Sequence, residues 1–92
     1  MTHRMPLPVD SIDASALQRK LRWQCRRGMK ELDLVLVRYL DRHFISASAS
    51  ERHNFVRLLE VEDDQLWAWI LGRSHPQDPE LDALVQRVRS PD

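Results

Sequence analysis

The sequence contains very little glycine and cysteine. Its two glycines cannot build a glycine-rich phosphate-binding loop, and together with prolines placed near the ends or shortly before Leu81 they disfavour a turn-rich all-β fold. The single cysteine, Cys25, excludes an intrachain disulfide and leaves a zinc site without thiolate partners. This composition is typical of a protein from a reducing compartment.

Long apolar runs are also missing. No stretch approaches the roughly 20 apolar residues that a membrane-spanning helix needs. The N-terminus lacks the apolar core of a signal peptide, and Asp10 and Asp13 argue against a transit peptide. We therefore expect a cytoplasmic bacterial protein with no membrane insertion.

Neither sign of charge is in excess, but the charged residues are unevenly distributed along the sequence. The 14 basic and 14 acidic residues cancel, which gives no support to a general polyanion binder. Residues 1–30 carry seven basic and two acidic groups, whereas residues 60–82 carry seven acidic groups against Arg73. Such an electrostatic dipole can orient the molecule on a partner before contact.

Apolar residues recur at helical spacing along most of the chain. We predict an all-α fold, a compact five-helix bundle in a single small domain spanning residues 13–90. Residues 1–12, which include Pro6 and Pro8, are expected to be a flexible lead. The stripes predicted to face the core are Leu17, Leu21 and Cys25; Met29, Leu32, Leu36, Tyr39 and Leu40; Phe55, Leu58 and Leu59; Leu66, Trp69 and Ile70; and Leu81, Leu84, Val85 and Val88.

Capping residues predict where the helices begin and end. The first helix is expected to run from a cap at Asp13 to about Arg26, and the second from about Met29 to His43. Glycine accepts the left-handed conformation at a helix end, so Gly28 and Gly72 are predicted stops. The predicted starts of the last three helices are a capping box of Ser48 with Glu51, a cap at Asp63, and Asp78 followed by Pro79.

An aromatic residue stands on the basic side of the first predicted helix. Trp23 lies about 120–160° from the apolar stripe, and Arg26 and Arg27 follow at a spacing that lets them lie over or beside its ring. A large aromatic among arginines has the composition of a contact hot spot. Packing of Trp23 under another helix as ordinary core is the alternative that the sequence leaves open.

Three residues around the start of the second helix extend this candidate surface. Gly28 is a helix stop that could also let a partner's backbone approach closely. Glu31 complements the helix dipole and could pair with Arg27 across the turn. Asp33 falls inside the apolar arc, where a carboxylate must be hydrogen-bonded; we favour a structural link to an arginine, a tryptophan N–H or a backbone amide over a docking role.

The segment Arg27–Glu31 resembles the Arg-Gly-x-x-Glu motif of the SdhE (YgfY) family. The pentapeptide by itself is weak evidence for the family, because such a short motif arises by chance. The surrounding sequence, however, also matches the family over roughly residues 15–88. A longer N-terminal lead and an Ala-Ser-rich loop at 46–50 are the departures. The matching surroundings are Leu21-Arg22-Trp23, Glu31-Leu32-Asp33-Leu34, Phe55 with Leu58-Leu59-Glu60, and Leu66-Trp67-Ala68-Trp69 ending at Gly72.

This resemblance implies an assembly factor and not an enzyme. Family members are five-helix proteins that bind the flavoprotein subunit of succinate dehydrogenase, or in some bacteria fumarate reductase, and promote covalent attachment of FAD to a histidine of that subunit. FAD is then handled through the client, with none bound stably here, and we expect a monomer. The implied partner-binding residues are Arg27, Gly28 and Glu31, with Trp23, Arg26 and Asp33 adjacent.

Two other function classes compete with this interpretation. The basic first helix could serve a nucleic-acid-binding or antitoxin-like module, but the acidic half is equally strong and no recognition-helix signature is present. An enzyme is disfavoured because the four histidines have no metal-ligand or triad spacing. We therefore expect no catalytic residues and no metal site.

Overall fold

A computed structural model describes residues 14–90 and folds them into five α-helices without a strand in that range. The predicted all-α fold is confirmed. The predicted lead and the proposed cap at Asp13 lie outside the described residues. The helices are α1 (Ala14–Gln24), α2 (Lys30–Arg42), α3 (Ala49–Leu58), α4 (Asp63–Ile70) and α5 (Pro79–Arg89).

One apolar core holds the helices together. α5 packs against α2, α3 and α4, while α1 packs against α2. The predicted stripes supply almost all of this core, although Leu17, Met29 and Trp69 are only partly buried. Phe44, which lies two residues beyond α2 and outside every predicted stripe, is also fully buried, with its ring 5.9 Å from that of Phe55.

Of the three predicted caps that lie within the described residues, two are confirmed. The Asp78 carboxylate accepts from the Glu80 amide at 2.9 Å, and the Ser48 hydroxyl accepts from the Glu51 amide at 3.1 Å. The second half of the capping box is missing, because the Glu51 side chain binds the Tyr39 hydroxyl instead. The predicted cap at Asp63 is wrong.

Asp63 is the first residue of α4, and Glu62 occupies the cap position without a side-chain hydrogen bond. The Asp63 carboxylate pairs instead with Arg27, which lies 36 residues earlier in the chain. A tertiary ion pair therefore uses the carboxylate that the local sequence predicted to cap α4. Its negative charge still lies favourably in the first turn of α4.

Both glycines have positive φ, as the predicted stops require. Gly72 (φ 78°) follows Leu71, the C-cap of α4, in a Schellman arrangement, with the Arg73 amide donating to the Ala68 carbonyl at 2.9 Å. Gly28 (φ 81°) lies farther from its helix than predicted, since α1 ends at Gln24 and not at Arg26. The positive φ therefore belongs to the link between α1 and α2.

Arginine side chains satisfy carbonyl groups at the ends of several helices. Arg38 donates to the carbonyls of Val88 and Ser90 at the end of α5, at 3.2 and 2.7 Å. Arg89 donates to the Ile70 carbonyl at the end of α4, at 2.7 Å. Such carbonyls lack partners within their own helix, so each arginine both caps one helix and ties it to another part of the fold.

None of the described helices combines the length and the apolar character that crossing a bilayer requires.

Two leucines of α2 test this packing as a matched pair. Leu36 is fully buried and Leu34 is 67% exposed, so Leu36→Ala should lower the unfolding free energy by about 2–5 kcal/mol and Leu34→Ala by less than about 0.5 kcal/mol. Urea denaturation followed by circular dichroism measures both. Equal losses would contradict the assigned orientation of α2.

Candidate partner-binding site

An open groove of about 640 Å³ lies where the α1–α2 link meets the first turns of α2. Three cationic side chains outnumber the single carboxylate on its walls, and two apolar side chains lie between them. Such a combination of apolar surface with arginine is favoured at protein–protein contacts. The lining residues are Arg22, Arg26, Gly28, Lys30, Asp33, Leu34 and Val37.

Trp23 stands beside this groove and faces solvent. Its side chain is 72% exposed, and the Arg26 guanidinium carbon lies 5.5 Å from its ring centroid. This geometry confirms the predicted position of Arg26 and removes the alternative in which Trp23 fills the core. An exposed cation–π contact of this kind contributes about 0.5–1 kcal/mol and favours a side-by-side arrangement of the two side chains.

Arg27 points the opposite way from Arg26. Its side chain is 11% exposed, and its guanidinium binds the segment between α3 and α4. Nη1 and Nη2 donate to the Leu59 carbonyl at 3.1 and 2.8 Å, and Nη2 also donates to the Val61 carbonyl at 2.8 Å. Nε lies 3.3 Å from Asp63 Oδ1 in an ion pair without hydrogen-bond geometry.

The predicted pairing of Arg27 with Glu31 is therefore wrong. The Arg27 guanidinium is committed to carbonyl groups and a carboxylate more than thirty residues away. Glu31 is exposed and lines a separate hollow of about 260 Å³ with Met29, Lys30, Leu32 and Trp67. Because Lys30 lines both depressions, the start of α2 forms a ridge between them.

Asp33 and Gly28 both help to set the conformation of the α1–α2 link. Asp33 Oδ1 accepts from the Arg27 amide at 2.8 Å, which confirms the structural interpretation of this half-buried carboxylate. A Cβ on Gly28 would meet no atom within 4 Å, so the requirement for glycine comes from φ and not from crowding. The side of Gly28 that faces the groove is open to a partner.

The structure adds residues that sequence reasoning missed. Arg22, Lys30, Leu34 and Val37 line the groove, and Trp67 lines the separate hollow together with Glu31. The sequence did contain one signal for the groove. Leu34 is apolar but lies outside the core-facing stripe of its helix, which indicates an exposed apolar surface. The placement of Trp67 had no local signal, because it depends on how α4 packs.

Cys25 directly follows α1, ends the apolar stripe predicted for the first helix, and is fully buried. Burial raises the pKa of its thiol to about 12, which outweighs the opposing effect of nearby Arg22 and Arg27. The thiol is therefore protonated at neutral pH and lies behind the candidate surface, not on it.

A protein-family model described as "Flavinator of succinate dehydrogenase" matches residues 19–92, which include the whole groove. The chain belongs to this family. It is 44% identical over 80 residues to a protein of Xylella fastidiosa named FAD assembly factor SdhE, a match that covers 87% of this chain and 82% of the relative.

Two further relatives carry the same name. The Methylococcus capsulatus protein is 45% identical over 71 residues, covering 77% of this chain and 86% of the relative. The Shewanella oneidensis protein is 43% identical over 70 residues, covering 76% and 85%. The family resemblance carried by Arg27–Glu31 and its surroundings is thus confirmed.

Substitutions of Asp33 test its hydrogen bond to the link. Asp33→Ala removes the acceptor for the Arg27 amide and should lower the unfolding free energy by about 1–2 kcal/mol. Asp33→Asn keeps an acceptor oxygen, so its unfolding free energy should fall by less than half as much. Urea denaturation followed by circular dichroism measures both variants. Equal losses in both variants would indicate that the charge of Asp33 matters and its acceptor role does not.

The buried thiol predicts slow alkylation. With its pKa near 12, Cys25 of the folded protein should react with iodoacetamide at least about 100-fold more slowly at pH 8 than in urea-unfolded protein. Mass spectrometry over a time course measures both rates. Comparable rates would show that the α1–α2 junction opens readily.

Proposed function

We propose that this protein is an assembly factor that binds the flavoprotein subunit of succinate dehydrogenase and promotes covalent attachment of FAD to it. The proposed contact surface is the groove together with exposed Trp23. The observation that carries this proposal is the outward position of Trp23 under Arg26, beside an apolar and cationic groove that falls inside the family match.

The chemistry of the groove describes the client surface that would fit it. Leu34 and Val37 offer an apolar surface, while Arg26 and Lys30 supply positive charge on its walls. Arg22 is partly neutralised, because it pairs with Asp41. A client segment with an apolar anchor flanked by carboxylates is complementary, and one aromatic or arginine hot spot contributes about 2 kcal/mol or more to such a contact.

Binding alone can promote flavin attachment if the factor prefers one client conformation. A flavoprotein with a mobile active site loses entropy when it reaches the reactive arrangement. A partner that binds the ordered state more tightly raises its population, and a shift from rare to dominant requires about 5 kcal/mol of differential affinity. In this proposal FAD and the reacting histidine both belong to the client, and this chain contributes surface, not catalytic groups.

The finer parts of the proposal concern client and stoichiometry. We propose that a monomer of this chain binds one client in the bacterial cytoplasm. The flavoprotein subunit of fumarate reductase shares the relevant chemistry and is the comparison client in any binding assay. Salt-dependent binding of duplex DNA, with no binding to either flavoprotein, would favour the nucleic-acid alternative instead.

Substitution of Gly28 by a large residue tests the groove directly. Gly28→Arg has room in the structure and carries a left-handed strain of about 1–2 kcal/mol, so the protein should fold. The new side chain should obstruct the groove, weaken client binding more than about tenfold and abolish flavinylation. Covalent flavin fluorescence of the client in gels, from cells with each variant replacing the native gene, measures the outcome.

Two control variants separate bulk from strain and from added charge. Gly28→Ala carries the same backbone strain without the bulk and should retain most flavinylation. Ala83→Arg adds the same side chain to an exposed position of α5 outside the groove and should behave as the native protein. Full flavinylation by folded Gly28→Arg would overturn the proposed contact surface.

A further inference from the structure

We propose that Arg27 is a positioning residue, and that Arg26 alone of this arginine pair gives its charge to the partner. In this proposal the Arg27 guanidinium fixes the α1–α2 link to the segment between α3 and α4, and thereby sets the position of Gly28 in the groove. The inference rests on the proposed function of the groove, and it assigns different tasks to two chemically identical neighbours.

The guanidinium of Arg27 is already largely engaged within this chain. Its two terminal nitrogens donate to the carbonyls of Leu59 and Val61, and its Nε faces the Asp63 carboxylate. Most of the N–H groups of the guanidinium are thus engaged, and its side chain is 11% exposed. A partner that bound this group would have to break contacts between helices.

The backbone of Arg27 is held as firmly as its side chain. Its amide donates to Asp33 Oδ1 on α2 at 2.8 Å, while its guanidinium reaches the end of α3. The residue therefore joins three elements, and Gly28 follows it directly with φ of 81°. A loss of the guanidinium contacts would free the link where the groove needs a defined backbone.

Arg26 has the opposite environment. It is exposed, lines the groove and lies 5.5 Å from the centroid of the Trp23 ring. Its guanidinium is therefore free to approach a carboxylate of the partner without disturbing the fold.

Salt dependence distinguishes a charge that meets the partner from a charge that positions the backbone. An exposed ion pair across an interface is screened by salt, so its removal lowers the salt dependence of binding. Removal of a positioning contact weakens binding by a factor that salt does not change. The two arginines can thus be compared with the same substitution, Arg→Gln.

The experiment is a calorimetric titration of the succinate dehydrogenase flavoprotein subunit with the native protein, Arg26→Gln, Arg27→Gln and Arg38→Gln. Each is measured at about 50 and 300 mM salt, at a temperature where circular dichroism shows every variant folded. Arg38→Gln is the matched control, since Arg38 also donates to two carbonyls at a helix end but lies outside the groove.

We expect Arg26→Gln to bind about fivefold more weakly at low salt and nearly as the native protein at high salt. Arg27→Gln should bind about tenfold more weakly at both concentrations, with the native salt dependence. Arg38→Gln should match the native protein. A loss of salt dependence in Arg27→Gln equal to that in Arg26→Gln would show direct contact, and equal weakening in Arg38→Gln would show a general stability effect; either overturns the inference.

Amide hydrogen exchange tests the positioning role without a client. Arg27→Gln should speed exchange at residues 25–29 and 59–63 relative to both the native protein and Arg38→Gln. If the native protein fails to bind the flavoprotein subunit, the proposed function is wrong, whereas unchanged exchange at both segments in Arg27→Gln overturns the positioning role.

Discussion

Guanidinium groups bound to backbone carbonyls connect the helix ends of this bundle, and the hydrogen bonds from Arg27 join the α1–α2 link beside the candidate site to the end of α3. The last carbonyls of a helix have no partner within it, and burial of such a group without a donor is costly. Arginine suits this position because its planar fork donates to several acceptors from a long apolar stem. Arg38 and Arg89 repeat the same interaction at the ends of α5 and α4.

These connections matter because the chain is short. A domain of this size buries a modest part of its surface, so one core of leucine, phenylalanine and valine leaves little excess stability. Polar contacts between distant helix ends add to that core and also fix the links. The α1–α2 link is held by Arg27 and Asp33 together, which presents Trp23, Arg26 and Gly28 in a defined arrangement. A preformed surface loses less entropy when it binds a partner.

Much of the fold could be predicted from the sequence. Helical periodicity identified all five helices, and nearly every residue of the predicted stripes is buried. Local chemistry also predicted the caps at Ser48 and Asp78 and the structural hydrogen bond of Asp33. Prediction failed where a distant residue competed for a local group: Asp63 pairs with Arg27 instead of capping α4, and Glu51 turns to Tyr39 instead of closing its capping box.

In the candidate site, too, some features follow from the local sequence and others from tertiary contacts. The sequence by itself determined that an aromatic, two arginines and a left-handed glycine would meet at the α1–α2 junction, because neighbours along a helix and its link are near in space whatever the fold. Only the tertiary structure decided which arginine faces solvent. Arg26 and Arg27 have the same propensities and the same charge, and what separates them is a pair of carbonyls on Leu59 and Val61, 32 and 34 residues from Arg27 along the chain.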